Sequence, residues 1–262
     1  MKLKIYQIDA FTDKVFSGNP AAVCVLNAWL DTELMQKIAA ENNLAETAFI
    51  VKNKNRYEIR WFTPEIEVDL CGHATLASAY VLFNRFIPKT THIDFYSERS
   101  GALAVQKEDD GSFTMDFPTD ELIEVKSVSK INEALNISPR ITFKGKTDYL
   151  VICKNQAEVE RIVPNYFILD QVDARGVIVT AQGREVDFVS RFFAPLCGIP
   201  EDPVTGSAHT SLTPYWSKVL GKDKLFAKQL SKRGGDLVCE NRGNRVSISG
   251  KAVAYLEGEI EV

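Results

Sequence analysis

Apolar positions recur at every second residue over much of the chain, with turn-forming residues between the runs. Alternating or β-branched stretches of this kind predict strands at 3–9, 21–27, 47–52, 56–63, 91–96, 101–107 and 112–117. The same texture returns at 148–153, 176–180, 186–193, 236–240, 244–249 and 252–260. Helical spacing replaces it in few places. The clearest are 32–42, where Asp31 is placed to cap, 75–83, and 208–220, where Gly221 is placed to terminate. Shorter helices are read at 130–135 and 156–163.

Laid side by side, the two halves of this pattern repeat. Val23-Cys24-Val25-Leu26 leads to the helix at 31–42, and Leu150-Val151-Ile152-Cys153 to the one at 156–163. Thr47-Ala48-Phe49-Ile50-Val51 and Gly176-Val177-Ile178-Val179-Thr180 follow, and a polar turn then opens a strand that ends in Phe-x-Pro: Phe62-Thr63-Pro64 in one copy, Phe193-Ala194-Pro195 in the other. Each loop beyond delivers an aspartate, Asp69 or Asp202, then a glycine, Gly72 or Gly206, and then His73 or Ser207 at the start of an amphipathic run. Copies of more than a hundred residues are too long for a solenoid repeat and predict two pseudo-symmetric lobes facing one cleft. So many strands, with one main helix after each motif, predict an α+β fold in which each lobe is a curved, mostly antiparallel sheet wrapped around a central helix. The predicted boundary lies at 118–124, giving lobes 1–117 and 118–262. The final strands, 245–262, can complete either lobe, and a chain that starts in one lobe and returns to it fits such a fold.

Composition narrows the class. The chain has 262 residues, 45% hydrophobic and 25% charged, enough to bury a core without disulfide or metal staples. Lys and Arg number 31 against 35 Asp and Glu, for a net charge of −4, and no basic stripe breaks the mixture. That balance argues against nucleic acid and anionic membrane surfaces as partners. Five dispersed cysteines, Cys24, Cys71, Cys153, Cys197 and Cys239, form no Cys-x-x-Cys pair and fit a reducing compartment. The first residues lack the apolar core of a signal peptide, and no run approaches the roughly 18 apolar residues of a membrane span. A cytoplasmic protein is expected.

The repeated loops carry the candidate chemistry. A glycine at the mouth of a helix leaves first-turn N–H groups pointing outward with the positive end of the dipole behind them, and such an end binds carboxylate or phosphate. Gly72 and Gly206 are the candidates, with plain turn residues as the alternative reading. Among three histidines, His73 stands beside a predicted anion-binding end, His92 lies in a strand, and His209 can face either cleft or core. Asp69 reads as a helix cap, whereas Asp202, between Glu201 and Pro203, reads as functional. Glu46 falls between a helix end and an apolar strand, where hydrophobic surroundings would raise its pKa and suit it to moving protons at carbon. The alternative for Glu46 is a solvated loop carboxylate.

Four segments taken together, Ser17-Gly18-Asn19-Pro20-Ala21-Ala22-Val23, Ala45-Glu46-Thr47-Ala48-Phe49, Asp69-Leu70-Cys71-Gly72-His73-Ala74-Thr75 and Glu201-Asp202-Pro203-Val204-Thr205-Gly206-Ser207-Ala208-His209, resemble the phenazine biosynthesis F-like isomerase family. Its two lobes share the diaminopimelate epimerase fold, and the match runs over nearly the whole chain in the family's order. The resemblance implies an isomerase without metal or organic cofactor, acting on a small anionic substrate and assembled as a homodimer. It places the acid-base glutamate at Glu46, the imidazole at His73, and the second carboxylate and serine at Asp202 and Ser207. In the characterised phenazine-pathway enzyme, the glutamate moves a proton between carbons of a dihydro-hydroxyanthranilate, and the glycine-initiated helices hold the carboxylate. By the same resemblance Asn19 and the Arg233-Gly234-Gly235 turn become rim elements able to contact substrate. Two alternatives stand beside this reading. Epimerases and racemases of the same fold use a cysteine before each glycine; here Cys71 precedes Gly72 but Thr205 precedes Gly206, which disfavours a two-thiol racemase and leaves Cys71 readable as a buried structural residue. A non-catalytic small-anion-binding protein is the other, because fold alone does not establish turnover.

Overall fold

The structure, a computed structural model, describes residues 1–262 and divides into two compact units: Met1–Asp116 with Ser249–Val262, and Phe117–Ile248. No helix in it is long and apolar enough to cross a membrane.

In the first unit, strand Lys2–Ala10 pairs antiparallel with Asn19–Leu26 on one side and with Ala252–Glu261 on the other. The chain end thus closes the sheet in which the chain began. Asn19–Leu26 then runs parallel to Glu46–Asn53, the crossover being helix α1 (Thr32–Asn42). Glu46–Asn53 turns back antiparallel into Arg56–Phe62, and helix α2 (Gly72–Val81) carries the chain to His92–Ser97, parallel to Arg56–Phe62. Gly101–Lys107 is the antiparallel neighbour of His92–Ser97 and pairs in turn with Phe113–Pro118. Helix α2 is built almost wholly of small and apolar residues and is buried on nearly every face, as a central helix must be. It packs against Lys2–Ala10, Asn19–Leu26, Glu46–Asn53 and Ala252–Glu261, and leaves through a π-helical turn at Leu82–Phe86.

The second unit repeats this grammar. Asp148–Ile152 runs parallel to Gly176–Gln182, with short helices α4 (Gln156–Arg161) and α5 (Tyr166–Leu169) in the crossover; α3 (Ser129–Leu135) precedes them. Gly176–Gln182 turns into Phe188–Ala194, and α6 (His209–Leu220) leads to Lys224–Gln229, parallel to Phe188–Ala194 and followed by the antiparallel Gly235–Asn241. Gly221 ends α6 in the left-handed conformation, φ 67°, as expected of its position. Pro214 lies inside α6 and cannot donate to the Thr210 carbonyl one turn back. The Asp120 amide donates to that carbonyl instead, at 3.2 Å.

Some local expectations differ from the structure. Helix α2 starts at Gly72, three residues before its apolar run. Asp31 sits at the N-cap of α1, but its side chain makes no capping hydrogen bond. Strands at Ile141–Lys144, Ile199–Asp202 and Lys224–Gln229 were not expected from the pattern. Ile141–Lys144 and Ile199–Asp202 are four residues long, too short for a periodic signal.

Candidate active site

Three elements of the first unit begin at one place. Asn19 opens one strand, Glu46 opens its parallel neighbour, and His73 stands in the first turn of α2. Parallel pairing sets Glu46 opposite Ala21, two residues beyond Asn19, so sequence positions 19, 46 and 73 are drawn to one sheet end. Gly18, at φ +65°, makes the approach possible: a Cβ there would stand 2.2 Å from the Ala10 carbonyl oxygen.

The side chains form a buried cluster. His73 Nε2 lies 3.2 Å from Glu46 Oε2, and His73 Nδ1 lies 3.1 Å from Asn19 Nδ2 and 3.4 Å from Cys71 Sγ. An Asn19 amide that donates to Nδ1 puts the proton of neutral imidazole on Nε2, facing the glutamate. Cys71 is the N-cap of α2, and both the amide and the hydroxyl of Thr75 donate to its carbonyl, at 3.1 and 2.6 Å. The N–H groups of Gly72 and His73 precede the first helical bond and are the outward donors of a helix N-terminus.

Charge in this cluster is set by mutual contact. Burial disfavours the imidazolium of His73, but the Cys71 sulfur and the Glu46 carboxylate outweigh it and hold the His73 pKa well above the ordinary histidine value. Burial, and next the negative field of Glu46, push the Cys71 thiol up to about 11. The thiol is therefore neutral near pH 7, and Glu46 is the partner that favours imidazolium. One carboxylate oxygen, one sulfur and one ring nitrogen of Glu46, Cys71 and His73 lie within 4.8 Å of one another, a donor set that suits a borderline-soft divalent ion. Asn19 holds one ring nitrogen at hydrogen-bond distance, and Glu46 Oε2 faces the other at 3.2 Å.

In the second unit the matching loop is tied differently. Asp202 ends a short strand and is buried, its Oδ2 accepting from the Thr205 hydroxyl at 2.5 Å. Gln229, 0% exposed, clamps the loop from the neighbouring strand: its Oε1 accepts from the Thr205 amide at 2.9 Å, and its Nε2 donates to the Asp202 carbonyl at 2.8 Å and to Thr205 Oγ1 at 3.1 Å. Gly206 does not stand directly at the mouth of a regular helix, as the repeat suggested. A tight turn intervenes, in which the amides of His209 and Thr210 donate to the carbonyls of Gly206 and Ser207, and α6 starts at His209. Ser207 Oγ accepts from Arg175, whose guanidinium is paired with Asp148.

The remaining sequence candidates separate from these clusters. Asp69 does not cap α2; its side chain is 77% exposed and paired with Arg99 at 3.2 Å, because Cys71 already holds the cap position. His92 is exposed beside Asp94. His209 faces the core: it lies against the Phe188 ring, its Nδ1 bonds the Thr205 carbonyl at 2.9 Å, and burial lowers its pKa to about 4. Glu201 forms a two-point ion pair with Arg191, at 2.7 and 2.9 Å. Gln229, Arg175 and Asp148 carry no motif and were not legible as site residues.

The sequence profile described as phenazine biosynthesis-like protein matches residues 8–258. An uncharacterized isomerase of Pseudomonas aeruginosa is 49% identical over 262 residues, with all of both chains aligned. A solved phenazine biosynthesis protein of the PhzF family from Enterococcus faecalis superposes with a TM-score of 0.96 at 46% identity, each chain fully covered. A second solved structure, of a phenazine biosynthesis PhzC/PhzF protein from Clostridium difficile, gives a TM-score of 0.93 at 46% identity over 99% of this chain and 100% of the other.

Proposed function

The chain belongs to the phenazine biosynthesis-like protein family and is an isomerase, and from that premise we propose that it moves a proton between two carbons of a small, unsaturated carboxylate, with Glu46 as the single acid-base group. Glu46 takes a proton from an activated C–H, the electron pair spreads into the adjacent unsaturated system, and the Glu46 carboxyl returns the proton to a second carbon on the same face. No electrons are gained or lost overall, and no step draws on a metal or organic cofactor. His73, at 3.2 Å, holds the carboxylate in orientation and offers a positive partner while it is ionised. The N–H groups of Gly72 and His73 are the proposed donors to the substrate carboxylate. Asn19 sets the histidine. In the second unit Asp202, Gly206 and Ser207 are the proposed substrate-contacting groups.

The observation that carries this reading is a buried carboxylate, Glu46, fixed by an imidazole at the N-terminus of a buried helix. A binder of anions needs the helix end but has no use for that carboxylate. A thiol mechanism is disfavoured because Cys71 is held as the neutral thiol and the corresponding position of the repeat is Thr205, hydrogen-bonded to Asp202. Glu46→Gln tests the assignment: turnover of a dihydro-hydroxyanthranilate should be abolished while anthranilate binding stays within a few-fold of wild type. Loss of binding with residual turnover would make Glu46 an anchor and not the base.

A further inference from the structure

We propose that Arg175 and Asp148 are a positioning pair for Ser207 that forces its hydroxyl to act as a donor towards a substrate anion. The proposal rests on the reading of Ser207 as a substrate contact. Arg175 Nη2 lies 3.1 Å from Ser207 Oγ. A guanidinium has donors and no acceptor, so the serine oxygen must accept on that bond and its proton is directed elsewhere. No other group of the chain takes that proton in a hydrogen bond. With one lone pair held by the guanidinium, the serine keeps its proton for donation and has a positive charge one hydrogen bond behind it, which is the polarity an oxyanion or carboxylate requires.

The guanidinium itself is fixed in plane and position. Its Nε donates to Asp148 Oδ1 at 2.9 Å and its Nη2 to Asp148 Oδ2, a two-point contact that sets orientation as well as charge. Asp148 is buried at the start of strand Asp148–Ile152 and pairs in register with Gly176, the residue after Arg175. The Arg175 amide donates to the Thr147 carbonyl at 2.9 Å, so main-chain pairing and side-chain pairing hold the same geometry. The Phe192 ring supports the guanidinium at 5.4 Å. A lysine cannot reproduce the fork, because a point charge reaching Asp148 cannot also hold Ser207 at a set angle.

The test is a double-mutant cycle on anthranilate binding, read by calorimetry for wild type, Arg175→Met, Ser207→Ala and the double variant, with Arg175→Lys as the charge-retaining control. Each single variant should weaken binding about tenfold, by the loss of one charge-assisted contact. The double variant should be no more than about twofold worse than either, and lysine should not restore affinity. Losses that multiply to about a hundredfold, or full rescue by lysine, would show that Arg175 acts on the anion directly or by charge alone and would overturn the proposal. Crystal structures of wild type and Arg175→Met provide a readout independent of ligand: Ser207 should hold one rotamer in the first and more than one in the second. If wild type binds no anthranilate, the reading of the substrate site fails, and a Ser207 rotamer unchanged in Arg175→Met would refute the positioning role by itself.

Discussion

Replacing Gln229 by leucine should cost about 2–6 kcal/mol, for two buried main-chain groups each losing a partner, and loosen the loop that carries Asp202. The side chain is 0% exposed and makes three hydrogen bonds, so leucine, of similar size, fills the space but removes one acceptor and the amide donors. Two main-chain groups, the Thr205 N–H and the Asp202 carbonyl, would then be buried without that partner, at about 1–3 kcal/mol each. Thr205 Oγ1 keeps its bond to Asp202 Oδ2 and is not counted. Calorimetric unfolding is the assay, and the expected fall in Tm is roughly 4–24 °C, from about 2–4 °C per kcal/mol for domains of 150–250 residues. Gln229→Glu separates the two ends of the amide: its carboxylate can accept from Thr205 but cannot donate to the Asp202 carbonyl, and burying its charge beside Asp202 should make it at least as damaging. A loss below about 0.5 kcal/mol for Gln229→Leu would refute the claim that this amide holds the loop.

Three further outcomes are expected. His209 has a folded pKa of about 4 against 6.5 ordinarily, so its contribution is complete above pH 6.5 and is lost as pH falls towards 4; urea unfolding of His209→Asn should show a pH-dependent loss across that window smaller than wild type by about 3 kcal/mol. Gly18→Ala combines a left-handed backbone with a Cβ placed 2.2 Å from the Ala10 oxygen, so stability should drop by more than about 2 kcal/mol, from strain and clash together, and a fall of under about 0.5 kcal/mol in denaturant titrations would contradict that geometry. Cys71→Ala should keep isomerisation within about tenfold of wild type, and a rate reduced to background in a stopped assay would return the thiol to the mechanism.

Much of the architecture was written in the alternation and in the repeated Phe-x-Pro, aspartate and glycine phrases. Phe62-Thr63-Pro64 and Phe193-Ala194-Pro195 close strands that hold the same place in their units, each antiparallel to the strand before and parallel to the strand after the following helix. The placement of Glu46 beside His73 was implied only by family resemblance, because the distance between them depends on the parallel pairing of two strands and on the helix that follows. Lys224–Gln229 was missed although it alternates cleanly between buried and exposed residues, since three lysine or glutamine positions dilute its apolar signal. Gln229, Arg175 and Asp148 act on loops far from them in sequence, and no local spacing announces such a partner. The cap readings of Asp31 and Asp69 failed for a different reason. A residue type suited to capping does so only if the backbone turns its side chain towards the free N–H groups; Cys71 holds the α2 cap position, and Asp69 is held by Arg99.

The most direct measurement of the central claim is proton NMR of a dihydro-hydroxyanthranilate incubated in deuterated water with wild type and with Glu46→Gln. Wild type should form a product isomer whose new C–H stands on a single face, carrying deuterium to the extent that the Glu46 carboxyl exchanges with solvent before it returns the proton, and Glu46→Gln should bind the compound and form none. Deuterium incorporated equally by both proteins, or at the original carbon with inversion of configuration, would contradict a single-base proton shift at Glu46.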